Sequence, residues 1–237
     1  MRTGRAIRSE FAARLRTSTA DDFERVRAQP FLRALINGEL DVSAHANLLA
    51  QHHFVYEALE AAGDFMRSDI VAGPFVSERL RRLPALRADL QFFFGADWER
   101  VISPGPAAER YRDRINEICF DWPGGFVAHH YVRYLADLSG GQAVRAALTR
   151  ASGQPPTEGV ASLTFRDIPN VESFRGAYRT LLDTAGWKAA EQKRIIAEVR
   201  YAYWLNAQLL AELGERSPLR IPAQRGGRAF SDTDGKS

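Results

Sequence analysis

Along this chain apolar residues return every three to four positions, the period of a helix with one buried face, and no two runs alternate as paired strands do. Ser9 to Ala28 reads as one helix, with Phe11, Leu15 and Phe23 in its apolar pattern and Pro30 beyond its end. Phe31 to Ile36 forms a short helix closed by Asn37 and Gly38, a pair suited to the left-handed turn that ends helices. Asp41 or Ser43 caps a long helix to Met66, with Leu48, Leu49, His52, Val55, Tyr56 and Leu59 turned inward. Gly73 and Pro74 break the pattern, and helices follow over Phe75 to Arg82, Pro84 to Phe94, Asp97 to Ile102 and Pro106 to Phe120. Pro123, Gly124 and Gly125 read as the turn before the next helix. Ser152 to Asn170 is polar and proline-bearing, a loop with one short extended piece at Ser162 to Phe165. Val171 to Leu182 and Trp187 to Leu213 complete the pattern. These elements make an all-α bundle in a single domain over residues 1–214, and the aperiodic tail 215–237 is expected to be disordered.

One stretch departs from plain helical packing. In HHYVRYLADLSGGQ, His129 to Gln142, Tyr131, Tyr134 and Leu138 share one face, while Arg133 and Asp137 stand one turn apart on another. Ser139, Gly140 and Gly141 interrupt the apolar pattern, which resumes at Ala143, Val144, Ala147 and Leu148. A glycine costs roughly 1 kcal/mol relative to alanine in a helix interior. Two in succession imply that some body comes too near the backbone for a β-carbon. A helix crossing is the plain form of that reading; a flat ligand lying across a bend, with Asp137 one turn before it, is the other.

Composition narrows the classes. At 237 residues and 45% hydrophobic content the chain can bury one core. No run of about eighteen apolar residues is present. The N-terminus MRTGRAIRSEF is basic without the apolar segment of a secretory signal, so a cytoplasmic protein with no membrane span is expected. The single cysteine, Cys119, cannot form an internal disulfide and, in line with Ile115 and Ile118, reads as a buried structural thiol. Net charge is +3, with arginines spread among Asp and Glu along every helix, a solvated surface and not a nucleic-acid face. Helical bundles also house di-iron oxidases and hydrolases. Glu57 and Glu60 stand close together, but no acid has a histidine at a di-iron offset, and Cys119 has no neighbouring base.

The run VAHHYVRYLADLSGGQ, from Val127, resembles the signature of the haem oxygenase family, and the wider resemblance extends from about Phe11 to about Leu213. It implies a haem-oxygenase-like multi-helix bundle whose kinked distal helix lies over haem. It also implies an activity that opens haem to biliverdin, carbon monoxide and iron, with electrons from a reductase or ferredoxin. Haem is an apolar disc with two carboxylates on one edge, and so needs apolar walls, cations at a rim and an axial donor to iron. In the family register Arg175 and Arg179, one turn apart, together with Arg16, hold those carboxylates, with Tyr131 at the same edge. A further basic position is Ala20 here. Tyr203 and Asn206 resemble an aromatic and an asparagine of the last pocket helix. Ser139, Gly140 and Gly141 meet the porphyrin with backbone, and Asp137 organises the water through which the reaction receives its proton. The resemblance therefore makes Asp137 and Gly140 the catalytic positions and places Phe23 and Ala136 against the ring.

Two departures bear on the chemistry. The family's first helix carries Thr-x-x-x-His, and that histidine binds iron from below. Here the segment STADDFERVR has Thr19 at the first position, Phe23 at the second, and Arg27 where a glutamate normally follows. Phenylalanine has no lone pair for a metal. No histidine precedes His45, so no shift of register supplies one, and no residue is assigned as a metal ligand. His52, His53, His129 and His130 each read first as core or surface residues, His129 at the position of a family histidine that is not the ligand. In the second departure Ala136 replaces the first glycine of Gly-Asp-Leu-Ser-Gly-Gly, and its methyl presses on the side where oxygen binds. Two readings stay open. The chain is a haem oxygenase working with an unusual or absent proximal ligand, or it is a non-catalytic or repurposed member that holds haem or biliverdin with Phe23 stacked where imidazole stood.

Overall fold

The computed structural model describes residues 10–152 and 157–215, without the side chains of Ser139, Ala151 and Ser152. Of the tail expected to be disordered, 215–237, Glu215 is the last residue of a helix and the rest lies outside the described residues. These residues form α1 (Phe11–Ser18), α2 (Ala20–Arg27), α3 (Pro30–Asn37), α4 (Val42–Met66), α5 (Leu83–Phe94), α6 (Trp98–Val101), α7 (Pro106–Ile118), α8 (Pro123–Ser152), α9 (Val171–Thr184) and α10 (Ala189–Glu215), and no strand. The bundle is all-α, as the periodicity implies. Helix ends follow local chemistry. Asp41 caps α4 by accepting the Ser43 amide at 2.7 Å, Asn170 caps α9 through the Ser173 amide at 2.8 Å, and Gly38 ends α3 with φ 76°.

The expected first helix is two helices. Thr19, at φ −119° and ψ 11°, leaves helical geometry between α1 and α2. Its buried hydroxyl donates to the Leu15 carbonyl at 2.8 Å, the back-bonding that lets a threonine bend a helix. The break sends the two pieces to different neighbours: α1 lies on α9 and α2 lies on α10. The Ala12 amide at the start of α1 donates to Asp183 Oδ1 of α9 at 2.8 Å, which fixes that pairing.

α8 runs through the middle of the bundle, against α10, α4, α3 and α7. Its backbone stays helical from Pro123 to Ser152, so Ser139 to Gly141 break the apolar pattern without breaking the helix. Gly124 and Gly125 sit inside its first turn, not in a turn before it. A β-carbon on Gly124 would come within 2.8 Å of Trp122 Nε1, so these glycines answer a close approach by the indole. The expected extended piece after α8 is a 3₁₀ turn at Ala161–Leu163. A short apolar run cannot by its spacing separate the two conformations. Two charged groups of α5 and its approach pin this turn: Asp89 accepts the Ala161 and Ser162 amides, each at 2.8 Å, and Arg82 donates to the Ser162 and Thr164 carbonyls at 3.1 and 2.9 Å.

Candidate functional site

Two adjoining cavities open between α2 and α8. The inner one, about 340 Å³, has apolar walls from Val26, Leu32, Leu48, Leu49, Val144 and Leu210 and a polar end at His52, Tyr56, Arg133, Asp137 and Asn206. The outer one, about 300 Å³, is bounded by Arg16, Tyr131, Arg175, Arg179 and Tyr203. Phe23 of α2 and Ala136 of α8 line both. The broken first helix creates this arrangement, because α2 is free to lean on α10 and present Phe23, whose ring centroid lies 6.0 Å from that of Tyr203. Each cavity falls in the range of roughly 300–1,000 Å³ usual for small-molecule sites.

The paired glycines divide the two meanings that the sequence left open. A β-carbon on Gly141 would collide with the Leu163 carbonyl, whose carbon would lie 3.1 Å away, so Gly141 is a packing glycine against the pinned 3₁₀ turn. A β-carbon on Gly140 would meet nothing within 4 Å, yet Gly140 lines the inner cavity. Open space beside a bare helix backbone is where a flat ligand can lie.

Of the network at the polar end of the inner cavity, the sequence offered Asp137, Asn206 and the one-turn spacing of Arg133 and Asp137, but not the parts of Tyr56 and His52. Tyr56 donates to Asp137, while Arg133, only 2% exposed, donates to Asn206 Oδ1 at 2.9 Å and to Asp137 Oδ1 at 3.3 Å. Burial pushes the Tyr56 phenol well above its usual range, so it remains a donor. Asp137 is therefore held by two partners, Tyr56 and Arg133. Its side chain is 24% exposed and lines the cavity, where one carboxylate edge can hold water. Tyr56 had read only as an inward position of α4, and His52 as an inward position or one of four histidines that could stand in for the missing iron ligand; their i, i+4 spacing puts both on one face, and nothing in the sequence says that α8 supplies their partners.

At the outer cavity Arg175 pairs with Glu172 at 2.6 Å, and Arg179 approaches the same carboxylate at 3.8 Å. Arg16 is exposed on α1 and faces this rim. Tyr131 is half-buried; its phenol is raised by burial and lowered in part by Arg16 and Arg179. The structure thus brings together every residue expected at the rim, and it brings Phe23, Ala136, Asp137, Gly140, Gly141 and Asn206 to the inner cavity. Ser139 lies in α8, with its side chain outside the described residues.

Comparison with known proteins gives this geometry a family. The family model described as heme oxygenase matches residues 9–212. The chain belongs to the haem oxygenase family. The heme oxygenase of Rhodella violacea is 33% identical over 205 residues, covering 86% of this chain and 87% of that protein. Heme oxygenase 1 of Homo sapiens is 33% identical over 221 residues, covering 89% of this chain and 77% of that one. Heme oxygenase-2 from Synechocystis, solved in complex with heme and NO, superposes with a TM-score of 0.83 at 30% identity, covering 87% of this chain and 86% of that one. Within the family frame, Phe23 bears on both cavities from the first-helix wall, with the Arg27 guanidinium 5.8 Å from its ring centre. Cys119 is fully buried and burial raises its thiol well above the usual range, in keeping with a structural role. Among the described residues no helix is long and apolar enough to cross a membrane.

Proposed function

We propose that this chain is a haem oxygenase that takes haem as its substrate in the paired cavities and opens the ring to biliverdin, carbon monoxide and iron. The observation that carries the reading is the meeting, at Phe23 and Ala136, of an apolar cavity under bare backbone and an arginine-rimmed one. A flat dianion needs those two surroundings on one axis. Haem contributes the iron at which oxygen is activated and is itself consumed. Arg16, Arg175 and Arg179 hold the carboxylate edge at the rim. Gly140 leaves room for the disc, and Leu48, Leu49 and Leu210 exclude water around its buried edge. Asp137, fixed by Tyr56 and Arg133, holds a water that delivers the proton. Electrons come from a separate reductase or ferredoxin.

The relatives support turnover over the pigment-holding alternative, although Phe23 sets this chain apart from the family pattern. Haem added to the purified protein should bind in a one-to-one complex, and supplying a reductase or ascorbate should replace its Soret band with a bilin band. A stable haem complex that never yields bilin would return the chain to the non-catalytic reading.

A further inference from the structure

We propose that His52, on α4, is a positioning residue of the proton-delivering wall: its ring donates an N–H to the water that Asp137 holds, and so turns that water's second hydrogen toward the reacting face of haem. The proposal rests on the haem reading above. The His52 side chain is half-buried and lines the inner cavity at its polar end, with Tyr56, Arg133 and Asp137. Tyr56, one turn further along α4, steadies its plane: the two rings meet edge-on, at 84°, with centroids 6.4 Å apart. Arg133 Nη2 lies 3.3 Å from Asp137 Oδ1 and 3.4 Å from each nitrogen of His52, so one guanidinium nitrogen seats the acid and the imidazole side by side.

The hydrogens available at this end of the cavity decide what the ring does. A guanidinium has hydrogens to give and no lone pair with which to accept one. Burial, and the Arg133 charge beside it, hold the ring well below its ordinary pKa, so it is neutral, with one accepting nitrogen and one N–H. At most one of the two contacts to Arg133 is therefore a hydrogen bond, and the nitrogen that bears the hydrogen cannot direct it there. Arg133 is the one hydrogen-bond partner of the ring among the described residues, so the N–H is left for a molecule in the cavity that the ring lines. A water held by the Asp137 carboxylate alone can turn about that single bond. Accepting from His52 as well fixes it, with one hydrogen on the carboxylate and the other aimed outward. Tyr56 and Arg133 do not supply this second hold, because their hydrogens already go to Asp137 and Asn206. His52 orients the water and gives up no proton itself.

The full chain is compared with His52→Phe, His52→Leu and His52→Gln in haem affinity, in the rate of bilin formation from one bound haem, and in the infrared C–O stretch of carbon monoxide added to the ferrous haem complex in light and heavy water. His52→Phe and His52→Leu should bind haem as the parent does, form bilin about threefold to tenfold more slowly, as the loss of one hydrogen bond predicts, and lose the heavy-water shift of the C–O band. His52→Gln, whose amide can accept from Arg133 and still donate, should recover both the rate and the shift. Parent rate and parent band in either apolar variant, or a glutamine variant as slow as those two, overturns the assignment and leaves the haem site standing. A parent protein that binds haem but forms no bilin overturns the turnover reading, and the C–O band then decides the role of His52. A parent protein that takes up no haem overturns both.

Discussion

Gly140 and Gly141 are adjacent, chemically identical and differently employed, and this difference can be measured. Alanine at Gly141 must displace the Leu163 carbonyl, which Asp89 and Arg82 hold in place, so overpacking costs about 1–3 kcal/mol. In a chain of this size that lowers the melting temperature by roughly 2–4 °C per kcal/mol. Alanine at Gly140 meets no atom and removes a helix-interior glycine, so stability should hold or rise by up to about 1 kcal/mol, while haem affinity falls because the methyl enters the disc's space. Melting curves and haem titrations of the two variants give opposite patterns; equal melting temperatures would remove the packing role of Gly141. By the same reasoning Ala136→Gly, which takes a methyl from the junction of the two cavities, should raise haem affinity and bilin yield. The sequence showed that the glycine pair answers a close approach or a ligand. It could not divide the roles, because the deciding atoms belong to a turn some twenty residues later. His52 and Tyr56 were harder still: a polar side chain within an apolar stripe looks like core until α8 brings Arg133 and Asp137 against it.

Helices were legible wherever apolar spacing and a cap agreed, as at Asp41, Gly38 and Asn170, and were misjudged where a local bond overrode the spacing, as at Thr19. That error matters for the site, since the break lets α1 pack mainly on α9 while α2 packs on α10. The arginines of α9 were placed by family register and one-turn spacing, but their partner was not foreseen. Glu172 in the first turn of α9 holds Arg175 at 2.6 Å and draws Arg179 to 3.8 Å, so a carboxylate ligand must compete with an internal one. Removing both arginines by Arg175→Ala with Arg179→Ala should weaken haem binding at least tenfold, on the scale of about 1.5–3 kcal/mol for hydrogen bonds to charged groups. Glu172→Gln should instead tighten it, and raising the salt concentration should shrink the gap between parent and variants. Titrations at low and high ionic strength decide this; an unaltered affinity in the double variant would take the carboxylate edge away from α9.

At the scale of the whole molecule, the bundle is built around histidines it keeps uncharged. Burial lowers the pKa of His45, His52, His53, His129 and His130 below the ordinary value of 6.5, His130 to about 3. A depressed histidine pKa means that the unfolded chain binds the proton first. Stability is therefore complete above about pH 6.5 and is lost as pH falls toward the folded values, at about 1.4 kcal/mol per pH unit for each ring that stays neutral. Glu198 does not share this loss: burial alone would raise its pKa, but hydrogen bonds from His129 and Arg114 bring it down to about 2. Its ion pair with Arg114 keeps its full stabilising contribution down to about pH 4.5 and loses it between there and pH 2. Thermal unfolding should accordingly weaken steeply between pH 6.5 and 5, before the carboxylates take part. His53 isolates the effect, because both its ring nitrogens are buried without a hydrogen-bond partner against Trp98, and it lies outside both cavities. His53→Phe should raise the melting temperature at pH 5, flatten the acid slope by up to one histidine's share and leave haem binding unchanged. A variant that melts with the parent's full pH dependence would show that the acid sensitivity arises elsewhere than in this buried, neutral ring.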